Sequence, residues 1–182
     1  MDGPFWVDLR GPHQIGPWPT VNLSTTDRAV VPVQGLPSLG GNYFNFAGKS
    51  VWMRIVGGIT TAATPGFLNL SLYWGNGGDA NGTQLFLSGN NTLIASQTNA
   101  AFIWDICIRC QLTGSSGRLL AYGKCVFNPA LVAANTIVFP LTNMVFTVCD
   151  LTANNYLSPQ MRRSGSTAES MSVQDFWWVA MN

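Results

Sequence analysis

Apolar and polar residues alternate over many short stretches of this chain, and Gly, Asn and Pro separate one stretch from the next. In residues 67–74, FLNLSLYW, every second side chain from Leu68 to Trp74 is apolar, and Asn69 and Ser71 lie between them. A period of two is the pattern of an extended strand with one buried face. We therefore predict a half-buried strand at 67–74.

The clearest alternation runs from residue 101 to residue 128, around the sequence GSSG at 114–117. Apolar side chains occupy every second position of 104–112, and small or apolar side chains do so in 119–127. A short turn of Gly and Ser between two alternating runs is typical of an antiparallel hairpin. Both arms are expected to turn these side chains to one shared face.

Further β-rich runs extend the pattern along the rest of the chain. They lie at residues 29–33, 50–59, 83–87, 136–141, 145–151 and 171–181, and a polar loop is predicted at 158–170. The sequence contains no convincing helical period, internal repeat or linker. Strands at this spacing predict an all-β domain over residues 29–182, with about eight strands arranged as a sandwich or a barrel.

Residues 1–28 have no regular period and contain four prolines. Because proline fixes φ and lacks an amide donor, this segment is not expected to form a helix or a central strand. Its aromatic residues Phe5, Trp6 and Trp18 need an apolar surface. We expect an extended N-terminal arm that lies on the body or on a neighbouring molecule, with a disordered tail as the alternative.

Ionised side chains are scarce, and this narrows the possible functions. Asp, Glu, Lys and Arg make up 9% of the chain, apolar residues 47%, and the net charge is +1, whereas charged residues are about 25% of an average domain. So few charges do little to keep copies of a protein apart, so we expect partners to cover much of the surface. No cluster of basic residues is dense enough to bind nucleic acid, and no apolar run is long enough to span a membrane. Residues 1–30 also lack the pattern of a secretory signal, so we expect synthesis in the cytoplasm.

Candidate catalytic groups are few and scattered. His13 is the one histidine and falls in the arm, and Glu169 is the one glutamate. Asp105 and Asp150 lie in or beside β-rich runs and would be the candidates for a carboxylate pair, although an Asp in such a place more often pairs with Arg or ends a strand. No nucleophile elbow, zinc-protease motif or phosphate loop is present. We predict that the protein is not an enzyme.

The four cysteines leave several alternatives open. Cys107 and Cys110 have the spacing of zinc ligands, and Cys125 and Cys149 would complete a site. Residues three apart on a strand point to opposite faces, however, so buried free thiols are favoured over a zinc site or a disulfide. The loop at 75–82 has amide oxygens but one carboxylate, too few for a tight Ca²⁺ site. We predict no metal and no cofactor.

Adjacent Trp177 and Trp178 in the last predicted strand must face opposite sides of a sheet. One is expected to fill the core. The other is expected to pack against a neighbouring subunit, with a ligand platform as the alternative. Together with Phe5, Trp6 and Trp18 of the arm, these two residues are the predicted partner-binding residues.

From Gly48 to its end, the chain resembles the jelly-roll domains of virion proteins of tailed bacteriophages, which occur in trimeric capsid decoration proteins, head fibres and tail fibres. The resemblance lies in the order of several features rather than in one motif. In chain order these are Gly48-Lys49-Ser50-Val51, the strand at 54–61, Ala62-Ala63-Thr64-Pro65-Gly66, the strand at 68–74, Trp104-Asp105-Ile106, the hairpin turn at 112–117, Ala121-Tyr122-Gly123 and Asp150-Leu151-Thr152. The cysteines and residues 156–170, with Arg162-Arg163, depart from the family's pattern and leave the subfamily open.

The resemblance implies a jelly-roll sandwich, a homotrimer and no enzymatic activity. We therefore expect a structural protein of the virion surface. The simplest form is a trimeric decoration, or cement, protein that attaches through its N-terminal arm to the major capsid protein of a phage shell and stabilises it. The alternative is a receptor-binding or glycan-binding module of a tail fibre or head fibre. That module would bind a host-surface glycan through exposed Trp and the loops at 75–82 and 88–92.

Overall fold

A computed structural model describes residues 14–15, 18–128, 132, 135–139, 146–164 and 168–181 of the chain. Within them, eight strands contain four or more residues: β5 (Ser50–Thr60), β6 (Phe67–Gly75), β7 (Thr83–Leu87), β9 (Ala100–Leu112), β10 (Gly117–Phe127), β11 (Thr136–Phe139), β13 (Asn155–Arg163) and β14 (Ser170–Met181). The shorter elements are β1 (Gln14–Ile15), β2 (Val21–Asn22), β3 (Arg28–Ala29), the 3-10 turn η1 (Val33–Gly35), β4 (Ser38–Leu39), β8 (Asn91–Thr92) and β12 (Thr147–Cys149). The described part of the chain has no helix of the length and apolarity needed to cross a membrane.

The strands form two antiparallel sheets. The large sheet has the order β1-β14-β5-β9-β10-β11, with β2 also beside β14 and β12 also beside β10. The small sheet has the order β3-β13-β6-β7, with β4 also beside β13 and β8 also beside β6. The two sheets pack face to face around one core, so the predicted all-β class and antiparallel β-sandwich are confirmed. The jelly-roll connectivity and the N-terminal arm stay predictions.

An aromatic cluster joins the two sheets in the core. Phe86 of β7 stacks on Phe139 of β11 with ring centroids 4.2 Å apart. Trp104 of β9 packs edge-on against both rings, at 6.2 Å from each. Offset stacks and edge-to-face contacts are the favoured arrangements of buried aromatic rings, and all three side chains are buried. The cluster therefore fixes how the small sheet lies on the large one.

The hairpin of β9 and β10 agrees with the predicted alternation. Trp104 pairs with Cys125 and Ile108 with Ala121, and all four are buried on the side facing the small sheet. Leu112 is an exception, because the register shifts between Arg118 and Leu119 and places Leu112 opposite Arg118. Leu112 is consequently 49% exposed.

The prediction that β6 is half-buried was wrong, since both of its faces are covered. Asn69 and Ser71 are as buried as the leucines between them. The outer side of the small sheet is covered by the loop after β6, whose Gly78 carbonyl accepts a hydrogen bond from Gln160 Nε2 at 2.9 Å. The N-terminal segment also reaches this side, where the Tyr73 hydroxyl donates to Asp27 Oδ2 at 2.6 Å. The polar residues of β6 therefore face a covering layer instead of solvent.

The polar loop predicted at 158–170 was also wrong, because β13 occupies residues 155–163 between β6 and β3. Ser158 and Gln160 are buried and hydrogen bonded to each other at 3.0 Å, so their polarity does not indicate exposure. Pro159 lies inside the strand, and its carbonyl accepts a hydrogen bond from Val30 N at 3.0 Å. The run predicted at 29–33 is a strand only at β3, and the 3-10 turn η1 begins at its last residue.

Residues 18–28, which belong to the predicted arm, lie against the sandwich. Trp18 N donates to the Val173 carbonyl at 3.0 Å, and Leu23 N donates to the Glu169 carbonyl at 2.9 Å. Leu23 and Asp27 are buried, and β1 and β2 both pair with β14. The part of the predicted arm that could reach another molecule is therefore limited to residues N-terminal to β1. Phe5 and Trp6 lie outside the described residues.

Candidate functional site

The side of the large sheet that faces away from the small sheet carries an unusual set of side chains, which we call the outer face. It is formed by alternate residues of β14, β5, β9, β10 and β11, in register with one another. The intervening residues of the same strands, such as Ile55 and Trp104, are fully buried in the core. The outer face consists of three rows: Asp175, Val56, Ile103, Val126 and Thr136; then Trp177, Arg54, Asp105, Lys124 and Val138; then Val179, Trp52, Cys107 and Tyr122.

Arg54 and Asp105 form a two-point ion pair in the middle row. Arg54 Nε donates to Asp105 Oδ1 at 2.6 Å, and Arg54 Nη2 donates to Asp105 Oδ2 at 2.9 Å. The hydrogen bond to Asp105 raises the pKa of the Arg54 guanidinium. The same guanidinium lies 5.7 Å from the centre of the Trp177 ring, within the range of a cation–π contact. The pair therefore neutralises its own charge and is held in one orientation.

Apolar side chains surround this ion pair and are open to solvent. Trp52 is 39% exposed, Ile103 42% and Val138 58%. The Trp52 and Trp177 rings are 6.4 Å apart, and Ile103 pairs directly with Val126 on β10. Single exposed apolar residues are common, whereas a contiguous field of them on a soluble protein marks an interaction surface.

A shallow depression of about 470 Å³ lies within the outer face. Its lining includes Trp52, Arg54, Asp105, Tyr122 and Val138. Small-molecule sites are typically enclosed and bury most of their ligand, whereas this depression lies on the surface of a sheet. Its position suits a side chain that projects from another protein surface.

The cysteines divide between the two sides of the large sheet. Cys107 lies on the outer face beside Tyr122, while Cys110, Cys125 and Cys149 are buried, and all four are free thiols. Burial raises the pKa of each thiol, that of Cys149 to about 11 and that of Cys125 well above its usual value. Because Cys107 and Cys110 point to opposite sides of the large sheet, they cannot share one metal ion. Among the residues that the structure describes, no three His, Cys, Asp or Glu side chains are grouped to hold a metal.

The carboxylates considered for catalysis have structural partners. Asp105 is paired with Arg54, as described above. Asp150 Oδ1 accepts hydrogen bonds from Thr152 N at 2.8 Å and Thr152 Oγ1 at 2.6 Å, and these bonds lower its pKa. Glu169 is buried, with Oε2 3.4 Å from Arg163 Nε. His13 lies outside the described residues.

The polar loops considered for glycan or Ca²⁺ binding use their side chains to hold the fold. Asp79 Oδ1 accepts a hydrogen bond from Ala29 N at 2.7 Å, and Asp79 Oδ2 is 3.2 Å from Arg28 Nη1. In the loop at 88–92, Asn91 Nδ2 donates to the carbonyls of Leu68 and Gly89 at 3.0 and 2.9 Å. These groups brace the loops and the strands beside them, which leaves few of them to bind a ligand.

Of the predicted partner-binding residues that the structure describes, only Trp177 lies on the outer face. Trp178 turns to the opposite side and packs against the core, as expected for adjacent strand residues, and Trp18 packs against the core at the edge of β14. Sequence reasoning missed Ile103 and Val138. One signal in the sequence could have revealed the outer face. Ile103 and Cys107 are apolar, yet they occupy positions of β9 at which a strand facing solvent would have polar residues.

The geometry of the outer face thus defines a candidate protein-binding surface. It is apolar and aromatic, it carries both signs of charge, and its central ion pair is already formed. Comparison with known proteins found no matching family model and no significant match among curated sequences.

Proposed function

We propose that this chain is a structural protein of a virion surface, a homotrimeric decoration protein on the shell of a tailed bacteriophage. The observation that carries the proposal is the outer face, an apolar and aromatic field on a chain with 9% charged residues. Such a field favours contact with other proteins. The family resemblance supplies the virion context, and the outer face gives a physical reason why the protein would act by assembly.

The charges of the outer face support a protein partner over nucleic acid. Arg54, Asp105 and Lys124 follow one another across three neighbouring strands, so positive and negative groups alternate. Binding to phosphates depends on a dense field of positive charge, which this row does not provide. The hydrogen-bonded states of Asp105 and Asp150 likewise support a non-enzymatic role, because both carboxylates are used in the fold.

Attachment to the shell is proposed to use the chain N-terminal to β1. Gln14 pairs with Phe176 and Ile15 with Asp175, so β1 begins at the edge of the large sheet beside β14. Residues 1–13 include Phe5 and Trp6, and aromatic groups of this kind stabilise a contact by burying apolar area at about 25 cal/mol per Å². Three copies in a trimer would add avidity.

Deletion of residues 1–13 tests this role. The deletion stops short of Trp18, Leu23 and Asp27, which pack into the body. Shells that lack the protein should bind the full chain and fail to bind the truncated chain in a sedimentation assay, while the truncated chain stays trimeric. A control chain with Phe5→Ala and Trp6→Ala alone should lose most of the binding. Full occupancy of the shell by the truncated chain would show that residues 1–13 are not needed for attachment. Absence of the protein from purified particles would refute the virion role.

A second candidate, a glycan-binding fibre module, is favoured by one cleft beside β14. The cleft has a volume of about 320 Å³ and is lined by Trp18, Thr60, Asn99, Ser172 and Gln174 among others. Hydroxyl and amide groups beside an aromatic ring match the chemistry of a sugar. Glycan-array binding that Gln174→Ala abolishes would support this function, and an array without binding would count against it.

A further inference from the structure

We infer that the cleft beside β14 binds a single uncharged sugar ring, and that the Asn99 amide and the Trp18 indole recognise it. The inference rests on the second candidate function, glycan binding, and deepens it by naming the class of sugar and the residues that recognise it. The cleft lies on the folded body, so this binding does not require residues 1–13 and is compatible with attachment of the protein to a shell.

The floor of the cleft is open because Gly58 has no side chain. Gly58 pairs with Ser172 across β5 and β14, and both residues line the cleft. A Cβ at Gly58 would overlap Asn99 Oδ1, so the glycine allows the Asn99 side chain to lie directly on the sheet. A glycine inside a strand often marks a place where another group approaches the backbone closely. Here that group is the Asn99 amide, which also lines the cleft.

Asn99 keeps a side chain at a position where the backbone favours glycine. Its φ is 50°, in the left-handed region, which asparagine tolerates and glycine adopts without steric cost. Asn99 N donates to Thr60 Oγ1 at 3.1 Å, and Asn99 Oδ1 accepts a hydrogen bond from Ser172 Oγ at 3.4 Å. Within the described part of the chain, Asn99 Nδ2 has no acceptor. The amide is therefore oriented by its neighbours and keeps its N–H donors for a ligand.

Gln174 adds an acceptor on the other side of Ser172. The pairing of β14 with β5 shifts its register between Val173 and Asp175, so Gln174 lies in a bulge, and bulges often re-aim a side chain beside a functional site. Gln174 Nε2 donates to Ser172 Oγ at 3.3 Å, which leaves Gln174 Oε1 to accept a hydrogen bond. The cleft thus offers donors and an acceptor in one row, and a hydroxyl group can bond to both.

Trp18 gives the cleft an aromatic surface. The residue is half-buried, and its backbone N donates a hydrogen bond to the Val173 carbonyl at 3.0 Å. Its Nε1 is buried and has no acceptor among the described residues, and a buried donor without a partner is rare in folded proteins. An indole combines an apolar ring with a polar N–H, and a sugar ring combines apolar C–H faces with hydroxyl groups. The two are therefore matched in chemistry.

Charge and size restrict the ligand further. The described residues that line the cleft are all uncharged, so a carboxylated sugar would lack a cationic partner there. The one ionisable residue of β14, Asp175, is itself acidic. The cleft volume of about 320 Å³ is at the lower end of the range for small-molecule sites, about 300–1,000 Å³, and fits one sugar ring better than an extended oligosaccharide. We therefore expect neutral hexoses to bind and acidic sugars to be rejected.

The first part of the test measures sugar binding to the full chain. The probes are the methyl glycosides of glucose, galactose and mannose, with glucuronic acid as the acidic comparison, and ligand-observed NMR titration gives the affinities. At least one neutral glycoside should bind. Glucuronic acid should bind at least about 10-fold more weakly, because its carboxylate would be desolvated without a partner.

The second part of the test uses three substitutions. Asn99→Gly removes the amide and keeps a residue suited to the backbone, so it should weaken binding about 10-fold through the lost hydrogen bonds. Asn99→Asp keeps the acceptor for Ser172 Oγ, lacks the N–H donors and should weaken binding similarly. Ser96→Gly is the matched control, because Ser96 has a φ of 55° in the same connection between β8 and β9 and does not line the cleft. Its affinity should equal that of the wild type, and circular dichroism should show that all variants are folded.

Three results would overturn the inference: no neutral glycoside binds, glucuronic acid binds as tightly as the neutral glycosides, or both Asn99 variants bind as well as the wild type. In the third case the protein would still bind sugar, so glycan binding would stand and only the site assigned to it would be wrong. Absence of the protein from particles would refute the proposed virion role and leave the cleft as a sugar site. The two failures are therefore distinguishable.

Discussion

Arg54 on β5 and Asp105 on β9 face each other directly across two neighbouring strands and form two hydrogen bonds, at 2.6 and 2.9 Å. A directly opposed pair of unlike charges is a favourable cross-strand contact. In this protein the pair also lies among the exposed apolar side chains of the outer face, such as Trp52, Ile103 and Val138. The contribution of the pair to the stability of the folded chain can be measured by substitution.

Replacement of Arg54 should destabilise the isolated subunit modestly. Arg54→Met removes both hydrogen bonds from Asp105, whose side chain is 14% exposed, so we expect the free energy of unfolding to fall by about 1 kcal/mol. Arg28→Met is the matched control, because the Arg28–Asp79 pair is 45% and 41% exposed and contributes less. Urea unfolding at low protein concentration measures both variants. Equal losses for the two would contradict the geometric argument.

Tyr73 should make the protein unstable in alkali. Two causes raise the pKa of the Tyr73 hydroxyl from its ordinary 10.0 to about 12: desolvation is the larger, and the hydrogen bond to Asp27 is the second. The folded protein keeps this proton between those values while the unfolded chain loses it, so the contribution is complete below pH 10 and declines as the pH rises to 12. The loss should reach about 2 kcal/mol, measured by urea unfolding at a series of pH values. Tyr73→Phe should be less stable than the wild type at neutral pH, because Asp27 loses its donor, and should show a flatter decline in alkali; a decline as steep as that of the wild type would contradict this prediction.

The positions of the β9–β10 hairpin and of β6 could be predicted from alternation, whereas the covering of the second face of β6 and β13 could not. The β9–β10 hairpin has apolar residues on the core side at every second position, so the period of two identifies it. In β13, Ser158 and Gln160 are buried on the other side of the sheet by the loop at 75–82. The partners of Gln160 in that loop, Gly78 and Ala80, lie about 80 residues away in sequence, and alternation carries no information on such contacts.

The candidate site was also predictable only in part, because it too is formed by residues that are distant in sequence. The adjacent tryptophans showed that Trp177 and Trp178 face opposite sides, because that follows from strand geometry alone. The neighbourhood of Trp177, Arg54 and Asp105 depends on the register of three strands that are distant in sequence. Register follows from burial patterns and turn geometry across the whole sheet, so no local motif marks these residues as one surface.

Gly123 should tolerate no side chain. It pairs with Ile106 and Phe139 in the large sheet, and a Cβ there would overlap the Asp105 carbonyl oxygen and lie 3.0 Å from the Phe139 ring. Gly123→Ala should therefore displace Phe139 and lower the free energy of unfolding by about 2–3 kcal/mol. At Gly40 the nearest atom would be 4.0 Å away, so Gly40→Ala is a control that should change stability little. Thermal unfolding of both variants provides the comparison, and a Gly123→Ala protein as stable as the control would contradict the packing described here.

The thiols should differ sharply in reactivity, and the difference tests the free-thiol assignment. The thiolate is the reactive form, and burial raises the pKa of all four groups, so we expect slow reaction with a disulfide reagent at neutral pH. Cys107 alone is partly exposed and should react first, while Cys125 is wholly buried and should react only on unfolding. Cys107→Ser should abolish the early phase, and four thiols should react in denaturant without prior reduction. Two thiols instead of four would indicate a disulfide.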